Sequence, residues 1–492
     1  MYPEETSTPA ANASLRVLVC MGAGMSVWLL AATALEPSAA KMAGILAAVI
    51  LLWITESVPL AIPGIVGTAF AASIGIVPVR DAFGPLADRN LLLFIGSFLL
   101  AHAVEKHGLS QRIAYGALSL NIVGGSPRRV FWTISAVSFL LSAWVSNTAT
   151  CAMMLPIAVG IITRIRAGKG TPAARDFAFA LAFTCTFSAS IGGLMTPVGT
   201  PPNLIGLAQL ERVAGITVTF PHWFATVSPP AIAIWMLGML VLERSFLKSP
   251  EKLELHPAYA REKFNELGPM GSGERWTLAM LLCTVSAWVI PPGIVATGIG
   301  GKEFGESLTR LLPEAFVPLL FTFPLFAAGS RRDSLGSRRP VLDARDFGSL
   351  DWNTIFLYGG GLCIGALIDK SGLASVISTG FTRLPISSPL LILLAGVTLA
   401  AVMSEFASNT ASANIIAPIL AVAAGAFDIP ADHLMLAATA ACTLGFLLPV
   451  STPLNAMIYA TGEVPLRRMI RYGLVMDIIG IVVLTAWFRL MM

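Results

Sequence analysis

Charge is scarce in this sequence: Asp, Glu, Lys and Arg make up 12% of its 492 residues. Soluble domains carry about 25%, so a chain surrounded by water on all sides is excluded. Its six cysteines, Cys20, Cys151, Cys185, Cys283, Cys363 and Cys442, stand singly in apolar stretches. With no CxxC or Cys/His spacing, neither a metal centre nor a disulfide framework is expected. The sequence has no Walker A, no HExxH, no Ser/His/Asp arrangement and no glycine-rich phosphate loop. ATP-driven work therefore has no support, and the chain does not read as an enzyme. The net charge of +4 gives no reason to expect a nucleic-acid partner. Residues 1–15 are polar and acidic without a basic n-region, so a cleaved signal peptide is not expected.

Apolar residues dominate instead, at 55%, with a mean hydropathy of +0.76. The 44 Gly and 32 Pro are scattered through long apolar runs, as transmembrane helices tolerate. Those runs fall at 17–35, 42–54, 58–77, 91–120, 131–163, 176–210, 223–243, 276–298, 311–328, 352–382, 386–427, 430–460 and 472–488. Most are long enough to cross a bilayer. Segments 131–163 and 386–427 are too long for one crossing and are interrupted midway by polar residues.

Lys and Arg collect on the cytoplasmic side of short loops. Arg128, Arg129, Arg164, Arg166, Lys169 and Arg175 flank 131–163 on both sides, which puts both its ends in the cytoplasm. Segment 386–427 is preceded by Arg383 alone and followed by Asp428 and Asp432, so its ends lie outside. The expected fold is an all-α polytopic membrane protein of about eleven transmembrane helices and two opposed re-entrant hairpins, with the N-terminus in the cytoplasm. The expected organisation is a tail and first span over 1–40, a first repeat over 41–248 with a hairpin at 126–166 and a broken helix at 176–210, and a cytoplasmic linker at 249–275. A second repeat then covers 276–492, with a hairpin at 386–427, a broken helix at 430–460 and a last span. The linker reads mainly as a solvated connector.

The repeat itself is visible in three blocks. Ser142-Ala-Trp-Val-Ser146-Asn147-Thr148-Ala149-Thr150 aligns with Ser404-Glu-Phe-Ala-Ser408-Asn409-Thr410-Ala411-Ser412. Pro197-Val-Gly199-Thr200-Pro201-Pro202-Asn203 aligns with Pro449-Val-Ser451-Thr452-Pro453-Leu454-Asn455. Upstream, Gly96, Glu105, Lys106 and Gly108 align with Gly360, Asp369, Lys370 and Gly372. Opposed charge around the two hairpins makes these halves inverted repeats, an architecture that puts a transporter's site at the midplane between them.

Burying Ser, Asn and Thr in an apolar hairpin is costly unless something satisfies them. A tip between two half-helices exposes free N–H groups at a positive dipole end, which suits an anion. Ser and Asn oxygens, with the carbonyls of a broken helix, suit a hard cation such as Na+. The alternative is that Ser, Asn and Thr merely join helices; two copies, each followed by a helix-breaking Thr-Pro, weigh against it. Glu56 in Trp53-Ile-Thr-Glu56-Ser-Val-Pro59 reads as a span-end cap, Glu405 as a packing or hydrogen-bonding residue beside the second tip, and His102 and His107 as satisfied side chains.

On the 53–59 stretch, both Ser-Asn-Thr tips and both Thr-Pro motifs, the sequence resembles the divalent anion/sodium symporter family, carriers of dicarboxylates, citrate and sulfate. The resemblance implies a homodimer whose protomers each have a scaffold and a transport domain that moves as an elevator. It implies one Na+ site at Ser142, Ser146, Asn147 and Gly199, and a second at Ser404, Ala407, Asn409 and Ser451. It places substrate carboxylates against Asn147, Thr148 and Thr200 on one side and Asn409, Thr410 and Thr452 on the other. Leu454 and Ser451 depart from the family's usual residues, both at the second site. The expected function is Na+-coupled symport of C4-dicarboxylates (succinate, malate, fumarate) with two or more Na+, in a bacterial inner membrane. The alternative is a Na+-independent dicarboxylate exchanger or a sulfate or tricarboxylate carrier of the same family. An anion channel gives no reason for paired cation ligands.

Overall fold

The computed structural model describes residues 10–123, 126–168, 171–247, 258–332, 338–383 and 388–492. Lys169, linker residues 249–257 and part of the 331–345 basic loop lie outside the described residues.

The described chain is helical apart from one short antiparallel ladder, Gly329–Arg332 with Arg338–Pro340. Seven helices are long and apolar enough to cross a membrane, and three bent helix pairs raise this to ten. The chain is an integral membrane protein of all-α type, as its hydropathy requires.

The segments that looked unusual in the sequence are each a helix, a break and a second helix. The first hairpin is Pro127–Ser142 followed by Asn147–Gly168, and the second is Pro389–Phe406 followed by Asn409–Ala426. The broken helices are Pro172–Gly192 with Pro201–Ala214, and Ala431–Ala441 with Pro453–Ala460. Proline accounts for where many of these begin. Pro127, Pro172, Pro201, Pro389 and Pro453 all open helices, where the missing N–H costs nothing and the fixed φ is already helical.

The repeat extends into backbone geometry. Arg89–Lys106 turns at Gly108 into Leu109–Leu118, and Trp352–Lys370 turns at Gly372 into Leu373–Thr382. Gly108 and Gly372 have φ of 74° and 80°, a left-handed conformation that glycine adopts without strain. These two turns divide the apolar runs 91–120 and 352–382, which periodicity alone does not separate.

The polar linker differs from a plain connector. Ala258–Glu266 is a helix packed on Leu109–Leu118. Phe264 lies against Gly116, with the Arg112 guanidinium 6.0 Å from its ring centre. Arg261 donates to Asn121 Oδ1 at 2.6 Å. The Phe264 ring and the Arg261 guanidinium dock a short helix that sequence polarity reads as solvated.

The two halves interlock. Pro201–Ala214 from the first half packs along Asn409–Ala426 and Ala431–Ala441 of the second, while Pro453–Ala460 packs on Asn147–Gly168 and Pro172–Gly192. Thr186 Oγ1 donates to the Leu454 carbonyl at 3.3 Å, and the Phe187 and Phe446 rings meet at 5.1 Å. Gly206 faces Thr439 so closely that any Cβ there would collide with it. Both broken helices and both hairpins thus share one core.

Candidate functional site

Each half builds its tip in the same way. Ser142 ends the first hairpin's leading helix and is fully buried. Asn147 starts the next helix, and its amide nitrogen faces Ser142 Oγ at 2.7 Å, Ala189 O at 3.2 Å and Gly199 O at 3.3 Å. Three acceptor oxygens from three segments therefore converge on one point. Ser146 Oγ accepts from Ala149 N at 3.2 Å, starting the helix. In the second half Ser404 Oγ, also fully buried, lies 2.7 Å from Asn409 Oδ1 and 2.6 Å from the Cys442 carbonyl. Ala407 is extended and buried at the break.

The Thr-Pro motifs supply the facing loops. Thr200 and Thr452 are both N-caps in nearly identical extended conformations, φ −149° and −144°. Thr452 Oγ1 accepts from Asn455 N at 3.1 Å, whereas Thr200 makes no such side-chain cap. Thr196 in the first loop donates to Ala143 O at 2.5 Å, binding loop to tip. Thr148 is exposed, Asn147 and Asn409 are half-buried, and Thr410 is buried. The helices Asn147–Gly168 and Asn409–Ala426 each point their free N–H groups at the tip, so an anion meets positive dipole ends.

The second tip departs from the first through Glu405. Its carboxylate accepts from Leu447 N at 3.0 Å and from Ser451 Oγ at 2.6 Å. Ser451 thus spends its hydroxyl on Glu405, leaving its backbone carbonyl as the group comparable to Gly199 O. The first half has Ala143 and Gly199 at these positions, so it has no such brace. Asp477 of the last helix is buried beside Glu405 and close to the backbone of Gly445 and Phe446.

Sequence reasoning overlooked several participants. Ala189 contributes a backbone carbonyl, which leaves no side-chain signature. Glu56, read from sequence as a span-end cap, does cap Pro37–Thr55 in a left-handed conformation, φ 46°; what the sequence did not show is that its carboxylate lies near the Ser408 backbone at the second tip. Asn203 and Asn455 stand in the repeated Thr-Pro motifs, so a signal for them existed. His102 and His107 are structural: His102 pairs with Asp346 at 3.0 Å, and His107 Nε2 meets Val341 O at 2.9 Å.

Beside this core, an open cavity of about 730 Å³ lies between Pro201–Ala214, Trp352–Lys370 and the segment 80–88. Arg80, Asp88, Glu211, Arg212, Asp369 and Lys370 line it. Arg89 pairs with Glu211 at 2.9 Å and Arg212 pairs with Asp369 across it.

With this geometry in place, similarity to known proteins becomes decisive. Residues 11–492 match the family model described as the sodium:sulfate symporter transmembrane region. The chain belongs to this family. The chain is similar to the sodium-dependent dicarboxylate transporter SdcS of Staphylococcus saprophyticus, 28% identical over 88% of this chain and 82% of SdcS. The Na(+)/dicarboxylate cotransporter 3 of Mus musculus is 28% identical, over 92% of this chain and 88% of its own. Among solved structures, the YdaH transporter of Alcanivorax borkumensis aligns with a TM-score of 0.54 at 17% identity, covering 86% of this chain and 88% of YdaH. Neisseria gonorrhoeae MtrF aligns with a TM-score of 0.58 at 12% identity, covering 99% and 95%. These two likenesses concern the fold. Membership of the symporter family fits a site of serine, asparagine and backbone oxygens set between helix ends.

Proposed function

We propose that this symporter family member carries C4-dicarboxylates such as succinate, malate or fumarate into the cell by coupling them to Na+. The observation that carries the reading is the pair of buried Ser–Asn tips, each facing a Thr-Pro loop. Two tips that each offer amide, hydroxyl and helix N-terminal donors suit a ligand with a carboxylate at each end. Asn147, Thr148 and Thr200 meet one carboxylate, and Asn409, Thr410 and Thr452 meet the other. Ser142, Ser146, Asn147 and Gly199 hold one Na+; Ser404, Ala407, Asn409 and Ser451 hold the second, with Ser451 acting through its carbonyl. The named relatives, sodium-dependent dicarboxylate transporters, support this substrate class.

Energetics favours coupling. A dianion entering against 100 mV costs about 4.6 kcal/mol. Neither tip motif contains Lys or Arg, so bound cations supply the compensating charge. Two Na+ balance the dianion, and uptake driven by the potential calls for a third.

Alternating access follows as an elevator: the interlocked hairpins and broken helices slide as a transport domain against the remaining scaffold helices. The protein works as a homodimer in a bacterial inner membrane, with its N-terminus in the cytoplasm.

The test is labelled succinate uptake into proteoliposomes under an inward Na+ gradient or an equal K+ gradient, with and without succinate preloaded inside. Uptake that requires Na+ and no preload is the expected result. Uptake that requires preload and ignores Na+ would make the protein an exchanger. Uptake of sulfate or citrate in place of succinate would reassign the substrate.

A further inference from the structure

Asn203 and Asn455 occupy equivalent places in the two halves, each third in the helix that follows its Thr-Pro break. Asn203 Nδ2 donates to the carbonyls of Gly193 and Thr196, both at 2.9 Å. Asn455 Nδ2 donates to those of Gly445 and Leu448, at 2.8 and 2.9 Å. The carbonyls lie ten and seven residues upstream in both cases. Both side chains are fully buried, and in both Oδ1 has no hydrogen-bond partner.

An unpaired amide oxygen in an apolar interior is a standing cost. Both halves accept it, and the return is the same: two N–H donors in one plane, gripping two carbonyls three residues apart. Neither a hydroxyl nor an alkyl group offers that fork.

The gripped turns are the ones that carry the cation oxygens. Gly199 N closes on Thr196 O at 3.4 Å, and Ser451 N closes on Leu448 O at 3.2 Å. Gly199 packs so tightly on Gly193 that a Cβ would stand 2.5 Å from the Gly193 carbonyl. Gly193 in turn abuts the Asn147 amide, and Gly445 abuts Ser404. The turn from 193 to 199 therefore sets where Gly199 O stands relative to Asn147. The turn from 445 to 451 does the same for Ser451 O relative to Ser404.

We infer that Asn203 and Asn455 are the positioning residues of the two cation sites, one each, fixing the loop carbonyls at the separation Na+ needs without touching the ion or the substrate. The inference rests on the Na+-coupled reading above and adds residues to it. Because each clasp serves one tip, loss of either weakens one Na+ site, and loss of both weakens two.

The experiment compares Asn203→Ala, Asn203→Asp, Asn455→Ala and Asn455→Asp with the unmodified protein in proteoliposomes. Two quantities are read: half-saturation by Na+ at fixed succinate, and succinate KM at saturating Na+. The Asp forms keep size and shape but lose the forked amide N–H donors, so they separate positioning from packing. Half-saturation by Na+ is expected to rise about tenfold in all four, with succinate KM returning to within about twofold once Na+ saturates. Purified protein should show a matching loss of Na+-dependent thermal stabilisation. Unchanged Na+ half-saturation in folded Asp forms would overturn the inference, as would a fall in Vmax alone. Failure of all four to yield folded protein would also overturn it, assigning the asparagines to folding. If the unmodified protein itself ignores Na+, the coupled reading fails first, and that control tells the two failures apart.

Discussion

Gly193 and Asn147 are in contact across the first tip: a methyl group on Gly193 would run into the Asn147 amide. The contact is possible only because position 193 has no side chain. Gly193→Ala is therefore expected to push Asn147 off Gly199 O and Ala189 O while leaving the hairpin folded. A displacement of this size costs about a hundredfold in well-positioned sites. Uptake assays on folded Gly193→Ala protein, checked by size-exclusion profile, test this; near-normal uptake would show that Asn147 tolerates the shift.

Glu405 braces the second tip through Leu447 N and Ser451 Oγ. Glu405→Ala leaves Leu447 N without an acceptor, at about 1–3 kcal/mol when buried, and leaves Ser451 Oγ only the backbone carbonyl of residue 405, at 3.0 Å. Glu405→Gln keeps one acceptor oxygen for Leu447 N or Ser451 Oγ. The Gln form is expected to retain more uptake and a higher unfolding midpoint than the Ala form. Equal losses in both would mean that the carboxylate charge, rather than the brace, is what matters.

Arg212 and Asp369 join the end of Pro201–Ala214 to the end of Trp352–Lys370. If these elements slide past one another, the pair must break in each cycle. It is partly exposed, so its worth is about 1 kcal/mol or less. Asp369→Asn is expected to change turnover a few-fold with little change in succinate KM, and Arg212→Asp with Asp369→Arg should bring it back. Turnover that responds to neither change would place the sliding surface elsewhere.

Asp346 sits in the short helix Ala344–Gly348 and ties two distant parts of the chain together. It accepts from Lys106 Nζ at 2.6 Å and meets His102 Nε2 at 3.0 Å. Burial alone would raise its carboxyl, but Lys106, the Asp343 N–H and His102 hold it below its ordinary 3.8. A depressed carboxyl contributes stability above its unfolded value and loses it as pH falls through the folded one. Asp346→Asn should lower the unfolding midpoint at pH 7, by ~2 kcal/mol for a charged hydrogen bond. The gap should close as pH drops below 3.8. A gap that persists in acid would mean the loss is one of shape rather than charge.

Much of this was legible beforehand because polar residues inside apolar runs are conspicuous. The hairpins expected at 126–166 and 386–427 are found at 127–168 and 389–426, since Pro opens each leading helix and Ser-Asn-Thr breaks each one. The turns at Gly108 and Gly372 were hidden, as apolar residues continue on both sides and only backbone φ separates the helices. The carbonyls of Ala189, Gly193 and Gly445 were hidden for another reason. Every residue has a carbonyl, and only three-dimensional proximity selects those that matter. Ser451 shows the remaining gap: its hydroxyl reads as a ligand in sequence, yet its neighbour forty-six positions upstream claims it.

The Glu405–Ser451 brace also gives the site a direction. One turn is tied to its tip by a threonine hydroxyl on a backbone carbonyl and the other by a carboxylate, so the two ends differ in charge although their backbones match. A symmetric ligand such as succinate is indifferent to being reversed between them. A ligand with unlike ends, such as malate, would not be, and if this chain carries it the difference of two residues would favour one orientation of its hydroxyl.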